Sequence, residues 1–200
     1  MRSLKKNKRL VALVLGVWFS GLVLVSAAML ARHLVPLPRP SRDDVALAAL
    51  LQPVRGELGA SPRWSAVHVL YTSCKCSQRI ADHLLSSQRP ADVAETVLLV
   101  GTDAKLSDKL RARGFRVVET DANELEERYH VKAVPLLVVF GADSAVRYAG
   151  GYTERKQGPE PSDLSIIARA RTDSTLRALP VFGCAVAEEL RTRLDPTGVL

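Results

Sequence analysis

Cysteines and aromatic residues are scarce in this sequence. Three cysteines among 200 residues are too few for a disulfide-rich scaffold, and their odd number leaves one thiol over if the other two pair. Aromatic residues make up 5% of the chain, and they are not interleaved with a stripe of basic side chains. The sequence therefore lacks the pattern typical of nucleic-acid binding, and we expect no nucleic-acid partner.

Several common catalytic motifs are also missing. The sequence contains no Ser-His-Asp order, no phosphate-binding loop, no paired-carboxylate motif and no internal repeat. Gly150 and Gly151 follow a predicted hairpin and indicate a turn rather than a phosphate loop. His83 and His130 lie on predicted helices, where we expect them at the surface and not as metal ligands.

Acidic residues are absent from the first 32 positions, which contain six of the 28 basic residues and so most of the formal net charge of +7. The run from Leu10 to Ala31 is uncharged and mostly apolar, and at roughly 22 residues it is long enough to cross a hydrocarbon core of ~30 Å. Because Lys and Arg stay on the cytoplasmic side, we predict a cytoplasmic basic tail over residues 1–9, a transmembrane anchor over residues 10–31 and an exported remainder.

A cleaved signal peptide is the alternative to this anchor. Ser26, Ala27 and Ala28 form a small-residue cleavage site. The apolar region of a signal peptide is usually only ~7–15 residues long, so the length of this run favours a retained anchor.

The exported part divides into three stretches. Residues 32–41 contain Pro36, Pro38 and Pro40, which favour an extended, semi-rigid spacer. Residues 42–155 have the size and pattern of one globular domain, starting with a short helix that Ser41 caps and that runs through Gln52. Residues 156–200 are predicted to form a C-terminal helical extension, with one helix over 162–179 and a second over 184–194.

Apolar patterns within the domain predict alternating strands and helices. An alternating run over 64–71 predicts a half-buried strand, and apolar residues at helical spacing predict a helix directly after it. The near-continuous apolar run over 95–101 predicts a strand buried on both faces. Asp103 and Asp121 are expected to cap two more helices. Strands over 115–119, 134–140 and 145–149 complete an α/β layer fold.

Cys74, Lys75 and Cys76 lie where the first strand ends and its helix begins. The free N–H groups and the dipole of a helix N-terminus favour negative charge, and the thiolate is the charged form of cysteine. This position therefore predicts an activated thiol at Cys74, with Lys75 adding a nearby cation. The alternative is a structural disulfide or a pair of inert cysteines.

This order of elements resembles the thioredoxin superfamily over residues 64–152. The Cys motif at a strand–helix junction, the proline of Ala133-Val134-Pro135 and the hairpin after it match three marks of that family. A strand-and-helix insert over 99–113, together with the anchor, is similar to the membrane-tethered TlpA/ResA-like branch. The resemblance implies an α/β thioredoxin-like fold, in which helices flank a central mixed sheet. It also implies a cis bond before Pro135 and a backbone at Val134 that pairs with an incoming extended chain.

The cysteine motif departs from the Cys-x-x-Cys of the family, because this chain has Cys-x-Cys. Either Cys74 is the nucleophile with Ser77 in the position of the resolving cysteine, or Cys74 and Cys76 cycle as a pair. A disulfide across one intervening residue closes a tight ring that departs from relaxed geometry, and strained disulfides are easily reduced.

These observations favour a membrane-anchored periplasmic thiol–disulfide oxidoreductase that acts on protein thiols. It would span an inner membrane once through residues 10–31, with its N-terminus cytoplasmic, and would use Cys74, Cys76 and Pro135 without a cofactor. One alternative is a copper-handling protein that binds Cu(I) through Cys74, Cys76 and Cys184, because soft thiolates select Cu(I). Another is a non-catalytic binding domain.

Cys184 separates the redox and copper hypotheses. Its apolar neighbours favour a place in the core, well away from Cys74 and Cys76. If Cys184 lies beside the motif instead, the copper hypothesis becomes as strong as the redox hypothesis.

Overall fold

The computed structural model describes residues 2–34, 36–51, 64–156, 158, 160–173 and 175–194. The chain divides into two compact units, Met1–Val35 and Pro36–Leu200. Helix α1, Arg2–Leu34, makes up the first unit. Its stretch Leu10–Ala27 is long and apolar enough to cross a membrane, and it lies inside the predicted anchor.

The second unit alternates strands and helices. Its helices are α2 (Val45–Ala48, continued by a 3-10 turn over Ala49–Leu51), α3 (Lys75–Ser86), α4 (Ala104–Ala112), α5 (Ala122–Tyr129), α6 (Asp163–Ala170) and α7 (Glu188–Leu194). Its strands are β1 (Trp64–Tyr71), β2 (Val93–Val100), β3 (Arg116–Thr120), β4 (Ala133–Val134), β5 (Leu136–Phe140), β6 (Val146–Gly150) and β7 (Cys184–Ala185).

Five of these strands form one mixed sheet in the order β3-β2-β1-β5-β6. Strands β1, β2 and β3 are parallel, whereas β5 is antiparallel to β1 and β6 is antiparallel to β5. Helices α3 and α4 make the crossover connections that parallel neighbours need. The predicted α/β fold with a mixed central sheet flanked by helices is thus confirmed.

Both faces of the sheet are covered by helices. On one face, Val67 belongs to a buried cluster with Leu47 of α2 and Leu125 of α5. On the other face, Ala66 belongs to a buried cluster with Leu84 of α3, and side chains of α4 and α6 complete it. Strand β1 has the predicted bounds but is buried along its whole interior. The expectation of a half-buried strand is therefore wrong, because helices pack on both of its faces.

Helix starts follow the predicted caps with one exception. The side chains of Asp103 and Asp121 accept hydrogen bonds from backbone N–H groups at the starts of α4 and α5, as predicted. The short first helix begins at Val45, where Asp44 caps it in place of Ser41. The predicted end of that helix at residue 52 lies outside the described residues.

The C-terminal region is less helical than predicted. Helix α6 ends at Ala170 instead of residue 179, and residues 184–185 form a strand instead of a helix start. Backbone groups of this region bond to other parts of the domain, as when Gly151 N–H donates to the Leu179 carbonyl at 3.0 Å. Pairing with distant chain, and not local helix propensity, sets its conformation.

Part of the predicted proline-rich spacer lies on the domain. The Leu37 N–H donates to the Val181 carbonyl at 2.8 Å, and Arg39 Nη1 donates to the Ala178 carbonyl at 2.7 Å. Residues 37–39 therefore hold the segment that leads to Cys184.

Candidate redox site

Cys74 occupies the N-cap position of α3, as the sequence predicts. Its N–H donates to the Tyr71 carbonyl at 3.0 Å, and its carbonyl accepts the first helical hydrogen bond from Gln78 at 2.9 Å. The Cys74 sulfur makes no capping hydrogen bond, and the residue is only 1% exposed. The backbone therefore fixes this sulfur at the positive end of a helix dipole.

Cys184 forms a disulfide with Cys74. The two sulfur atoms are 2.16 Å apart and the two Cα atoms 6.0 Å apart, within the usual Cα range of ~4.4–6.8 Å. The expectation that Cys184 lies in the core, well away from the motif, is wrong. Tertiary pairing of β7 returns the chain to the start of α3, which the local apolar pattern around Cys184 does not reveal.

Strand β7 reaches the site by pairing with β4, the two residues before Pro135. The pair is antiparallel, with Val134 opposite Cys184 and Ala133 opposite Ala185. The Val134–Pro135 peptide bond is cis, as the resemblance implies. The same resemblance places an extended chain against Val134, and in this structure the extended chain is the protein's own C-terminal segment.

Cys76 is a free, half-buried cysteine. The structure thus joins Cys74 to Cys184, whereas the sequence offers Cys76 as the partner. Ser77, which takes the position of a resolving cysteine in the alternative interpretation, is 2% exposed within α3. Of the predicted site residues, Cys76 and Pro135 line one groove, and Cys74 is part of the disulfide.

The strand order, the cysteine at the start of the helix after β1 and the cis proline entering β5 together identify the fold. The chain has a thioredoxin-like fold. In this thioredoxin-like domain β1 is central, and β2 and β5 flank it on either side. The end of strand β2 and helix α4 occupy the predicted insert of residues 99–113.

Comparisons with solved structures give similar proteins at low sequence identity. An uncharacterised conserved protein of Geobacillus kaustophilus has a TM-score of 0.46 and 17% identity, with 63% of this chain and 77% of that chain covered. A secreted disulfide oxidoreductase of Mycobacterium tuberculosis has a TM-score of 0.41 and 14% identity over 54% and 82% of the two chains. StoA of Bacillus subtilis has a TM-score of 0.38 and 13% identity over 54% and 83%. No protein-family model and no curated protein match the sequence.

A groove of about 530 Å³ in this thioredoxin-like domain is lined by Cys76 and Pro135. Its walls come from the start of α3, from the entry to β5, from the loop after β6 and from the segment before Cys184. Its lining residues include Lys75, Cys76, Arg79, Pro135, Lys156 and Phe182. Cysteine, cationic and apolar side chains therefore meet at one opening.

A buried polar network lies under this groove, and sequence patterns do not predict it. His68 in the middle of β1 is fully buried. Its Nδ1 lies 2.9 Å from the hydroxyl oxygen of Tyr152, which lines the groove, and its Nε2 lies 3.0 Å from a carboxylate oxygen of Glu95. Arg89 bonds to Glu95 and also donates through Nη1 to Asp163 at 2.6 Å.

The electrostatics of this network follow from its contacts. Burial raises the pKa of Glu95 and of Asp163, but His68 and Arg89 outweigh burial and leave the pKa of each carboxyl below its ordinary value. An ionised Glu95 can only accept hydrogen bonds, so His68 Nε2 is the donor to it. Burial raises the pKa of Tyr152 well above its usual value, and its hydroxyl keeps its proton.

The members of this network are far apart in sequence, which explains why sequence patterns missed them. Arg89 and Asp163 are separated by 74 residues, and His68 and Glu95 by 27. The available signals were a charged residue inside the apolar run of β2 and a histidine inside β1.

Metal ligands are not clustered in the described part of the chain. Among those residues there is no group of three or more His, Cys, Asp or Glu side chains that could hold a metal ion. Two of the three sulfurs are bonded to each other, so in this oxidised state they are not thiolate ligands.

Proposed function

We propose that this protein is a thiol–disulfide oxidoreductase that exchanges its Cys74–Cys184 disulfide with cysteine thiols of protein partners. The observation that supports this most is the position of the bond. It joins a cysteine at the N-terminus of α3 to a cysteine on the strand next to Pro135. A thiolate released at a helix N-terminus is stabilised there, which is the property that a redox-active cysteine needs.

The exchange begins at Cys184. Cys184 is half-buried, whereas Cys74 is 1% exposed, so a partner thiolate bonds first to the Cys184 sulfur. The Cys74–Cys184 bond breaks, and its electron pair leaves with the Cys74 sulfur as a thiolate at the start of α3.

A second thiolate of the same partner completes the reaction. It attacks the partner sulfur of the mixed disulfide, and Cys184 leaves as a thiolate. The partner dithiol has then become a disulfide and has lost two electrons and two protons. Cys74 and Cys184 have gained the two electrons, and the protons pass to these thiolates or to water. The same steps in reverse reduce a partner disulfide.

Cys184 takes the place of Cys76 as the disulfide partner of Cys74. In the reduced protein Cys76 remains a second thiol beside Cys74, in the groove that Pro135 also lines. We assign to Cys76 an attack that competes with that of Cys74 on the mixed disulfide formed at Cys184, and to Pro135 the shaping of the groove.

Membrane attachment is part of the proposal. The apolar stretch Leu10–Ala27 would anchor the chain in an inner membrane, with the basic tail in the cytoplasm. The redox domain would then face the periplasm, an oxidising compartment in which disulfides form and persist.

A Cu(I)-handling function is a second candidate, because the structure brings Cys184 to the cysteine motif. Full reduction would give three thiolates near the start of α3, which suit a soft metal ion. Titration of the reduced chain with Cu(I) against a competing chelator tests this. Tight binding that disappears in Cys184→Ser would support the copper function, and binding no tighter than that of the variant would exclude it.

A redox titration tests the oxidoreductase function. The full chain is equilibrated in glutathione or dithiothreitol buffers, quenched in acid and alkylated, and its peptides are mapped by mass. We expect one two-electron transition for Cys74 and Cys184, with Cys76 labelled throughout. Structural disulfides have potentials below about −300 mV. A midpoint potential above that value supports exchange, and a lower midpoint potential would show that the bond is a structural disulfide. Cys184→Ser is the control and should abolish the transition.

A further inference from the structure

The sheet edge next to the disulfide is closed by the chain itself. Val134 of β4 is paired with Cys184 of β7. The next residues extend the contact, since the N–H groups of Val186 and Ala187 both point to the Lys132 carbonyl, at 2.8 and 3.2 Å. A partner strand that added to β4 would have to take the place of these bonds.

Two apolar side chains fix the covering segment on either side of Cys184. Val181 is 0% exposed and Val186 is 2% exposed, and both belong to the buried cluster that contains Val134. In this oxidised structure the two anchors and the hydrogen bonds to β4 hold the covering segment in place together with the disulfide.

The groove is lined by residues close in the chain to both disulfide cysteines, although neither cysteine is among the described lining residues. Each disulfide residue has a close chain neighbour in its lining, Lys75 next to Cys74 and Phe182 two residues before Cys184. Lys75 and Arg79 are one turn apart on α3 and so lie on the same side of the helix. Lys156 lines the groove from the loop after β6, and the described lining residues include no Asp or Glu.

We infer that a protein partner reaches the Cys74–Cys184 disulfide through this groove, and that the groove selects an acidic segment on which the reacting cysteine is flanked by Asp or Glu. The inference rests on the proposed oxidoreductase function and names its partner class. Lys75, Arg79 and Lys156 attract the acidic side chains, while Pro135 and Phe182 contact apolar parts of the segment. Charge complementarity of this kind acts mainly on the rate of association and on the choice of partner.

The test compares cysteine peptides of opposite charge on the full chain in its oxidised form. One peptide has two glutamates on each side of its cysteine, and the other has two lysines on each side. The second-order rate of opening of the Cys74–Cys184 bond is followed by quench and mass analysis, with 2-mercaptoethanol as an uncharged thiol. We expect the acidic peptide to react at least about tenfold faster than the basic one at low salt, with the ratio falling as salt rises.

Charge reversal locates the effect in the groove. In Lys75→Glu/Arg79→Glu we expect the ratio of acidic to basic rates to fall below one. The matched control is Lys105→Glu/Lys109→Glu, which changes two exposed cations on α4 and alters the net charge equally. This control should keep a ratio above one. If the groove variant does not fold, the salt dependence of the unaltered chain is measured instead.

Three outcomes would overturn the inference. In the first, the acidic and basic peptides open the disulfide at equal rates. In the second, the control variant changes the ratio of acidic to basic rates as much as the groove variant does. In the third, the rate with the acidic peptide depends on salt no more than the rate with 2-mercaptoethanol. Failure of the proposed function looks different, because then neither peptide, nor 2-mercaptoethanol, nor dithiothreitol opens the disulfide of the folded chain.

Discussion

Gly183 lies so close to Val134 that a Cβ atom on it would stand 1.9 Å from the Val134 carbonyl oxygen. The same atom would be 2.5 Å from Cδ of Pro135. Both contacts are with atoms that cannot turn aside, since one is backbone and the other belongs to a proline ring. A glycine at this position therefore allows β7 to bring Cys184 within bonding distance of Cys74.

Gly183→Ala is expected to weaken the Cys74–Cys184 bond. The new methyl group forces β7 away from β4, and overpacking of this kind costs about 1–3 kcal/mol. If the clash destabilises the oxidised protein more than the reduced protein, the midpoint potential becomes less negative. The shift is about 30 mV for each 1.4 kcal/mol of that difference. The redox titration described above measures the shift.

Gly114→Ala is the matched control for that experiment. Gly114 has a φ of +98° and open space around its Cα, so alanine costs about 1–2 kcal/mol through backbone conformation. The free energy of unfolding should fall in both variants, but the midpoint should shift only in Gly183→Ala. Equal midpoints would show that β7 does not control the bond.

Arg89→Met is expected to destabilise the domain strongly. Arg89 is the cation shared by Glu95 and Asp163, whose side chains are 5% and 0% exposed. Removing one partner of a buried ion pair leaves an uncompensated charge and costs about 3–5 kcal/mol. Urea unfolding measures this loss.

Arg128→Met is the control for the buried network, because Arg128 pairs with Glu124 across one helical turn at the surface. Such pairs contribute about 0.3–0.5 kcal/mol. A loss of similar size in the Arg89 and Arg128 variants would contradict the assigned role of the network.

Stability is expected to fall in acid through the same carboxylates. The pKa values of Glu95 and Asp163 are lowered in the folded protein, whereas in an unfolded chain such groups titrate near pH 4. Below that pH the unfolded chain binds more protons than the folded one, so the free energy of unfolding falls as the pH falls. The stability that the ionised Glu95 and Asp163 contribute is fully present above about pH 5. Urea unfolding from pH 7 to pH 3 checks this, and Glu95→Gln should show a smaller decline. Stability that rises between pH 5 and pH 3 would exclude the assigned ion pairs.

Fusions to alkaline phosphatase test the topology. A fusion after Pro40 should be active, because that position follows the apolar helix, and a fusion after Arg9 should be inactive. The full chain should remain in the membrane fraction. A soluble protein that begins near Met29 would show that the segment is a signal peptide.

Local patterns account for most of the sheet. The run over 64–71 predicts β1 with its observed bounds, and Asp103 and Asp121 mark the starts of α4 and α5. These elements could be predicted because each depends on residues within one or two turns or along one strand. The resemblance to the thioredoxin superfamily added the cis bond before Pro135, which the structure contains.

The site could be predicted only in part, because its decisive pairings join distant residues. Cys184 meets Cys74 across 110 residues, and nothing near Cys184 in the sequence distinguishes a disulfide-bonded cysteine from a free core cysteine. After residue 170, hydrogen bonds to distant parts of the chain determine the backbone conformation, and local helix propensity does not. One example is the bond from the Gly151 N–H to the Leu179 carbonyl.

The long span of the disulfide has a consequence for the lifetime of the protein. The bond closes a ring of chain that contains every strand from β2 to β6. Cross-linking a loop of ~100 residues lowers the entropy of the unfolded chain by an amount worth about 4.7 kcal/mol of stability. Typical domains have only about 5–15 kcal/mol in total. Under the proposed function, each turnover would pass through a reduced form that opens more often to proteases, and the supply of oxidant would also govern how long the protein survives.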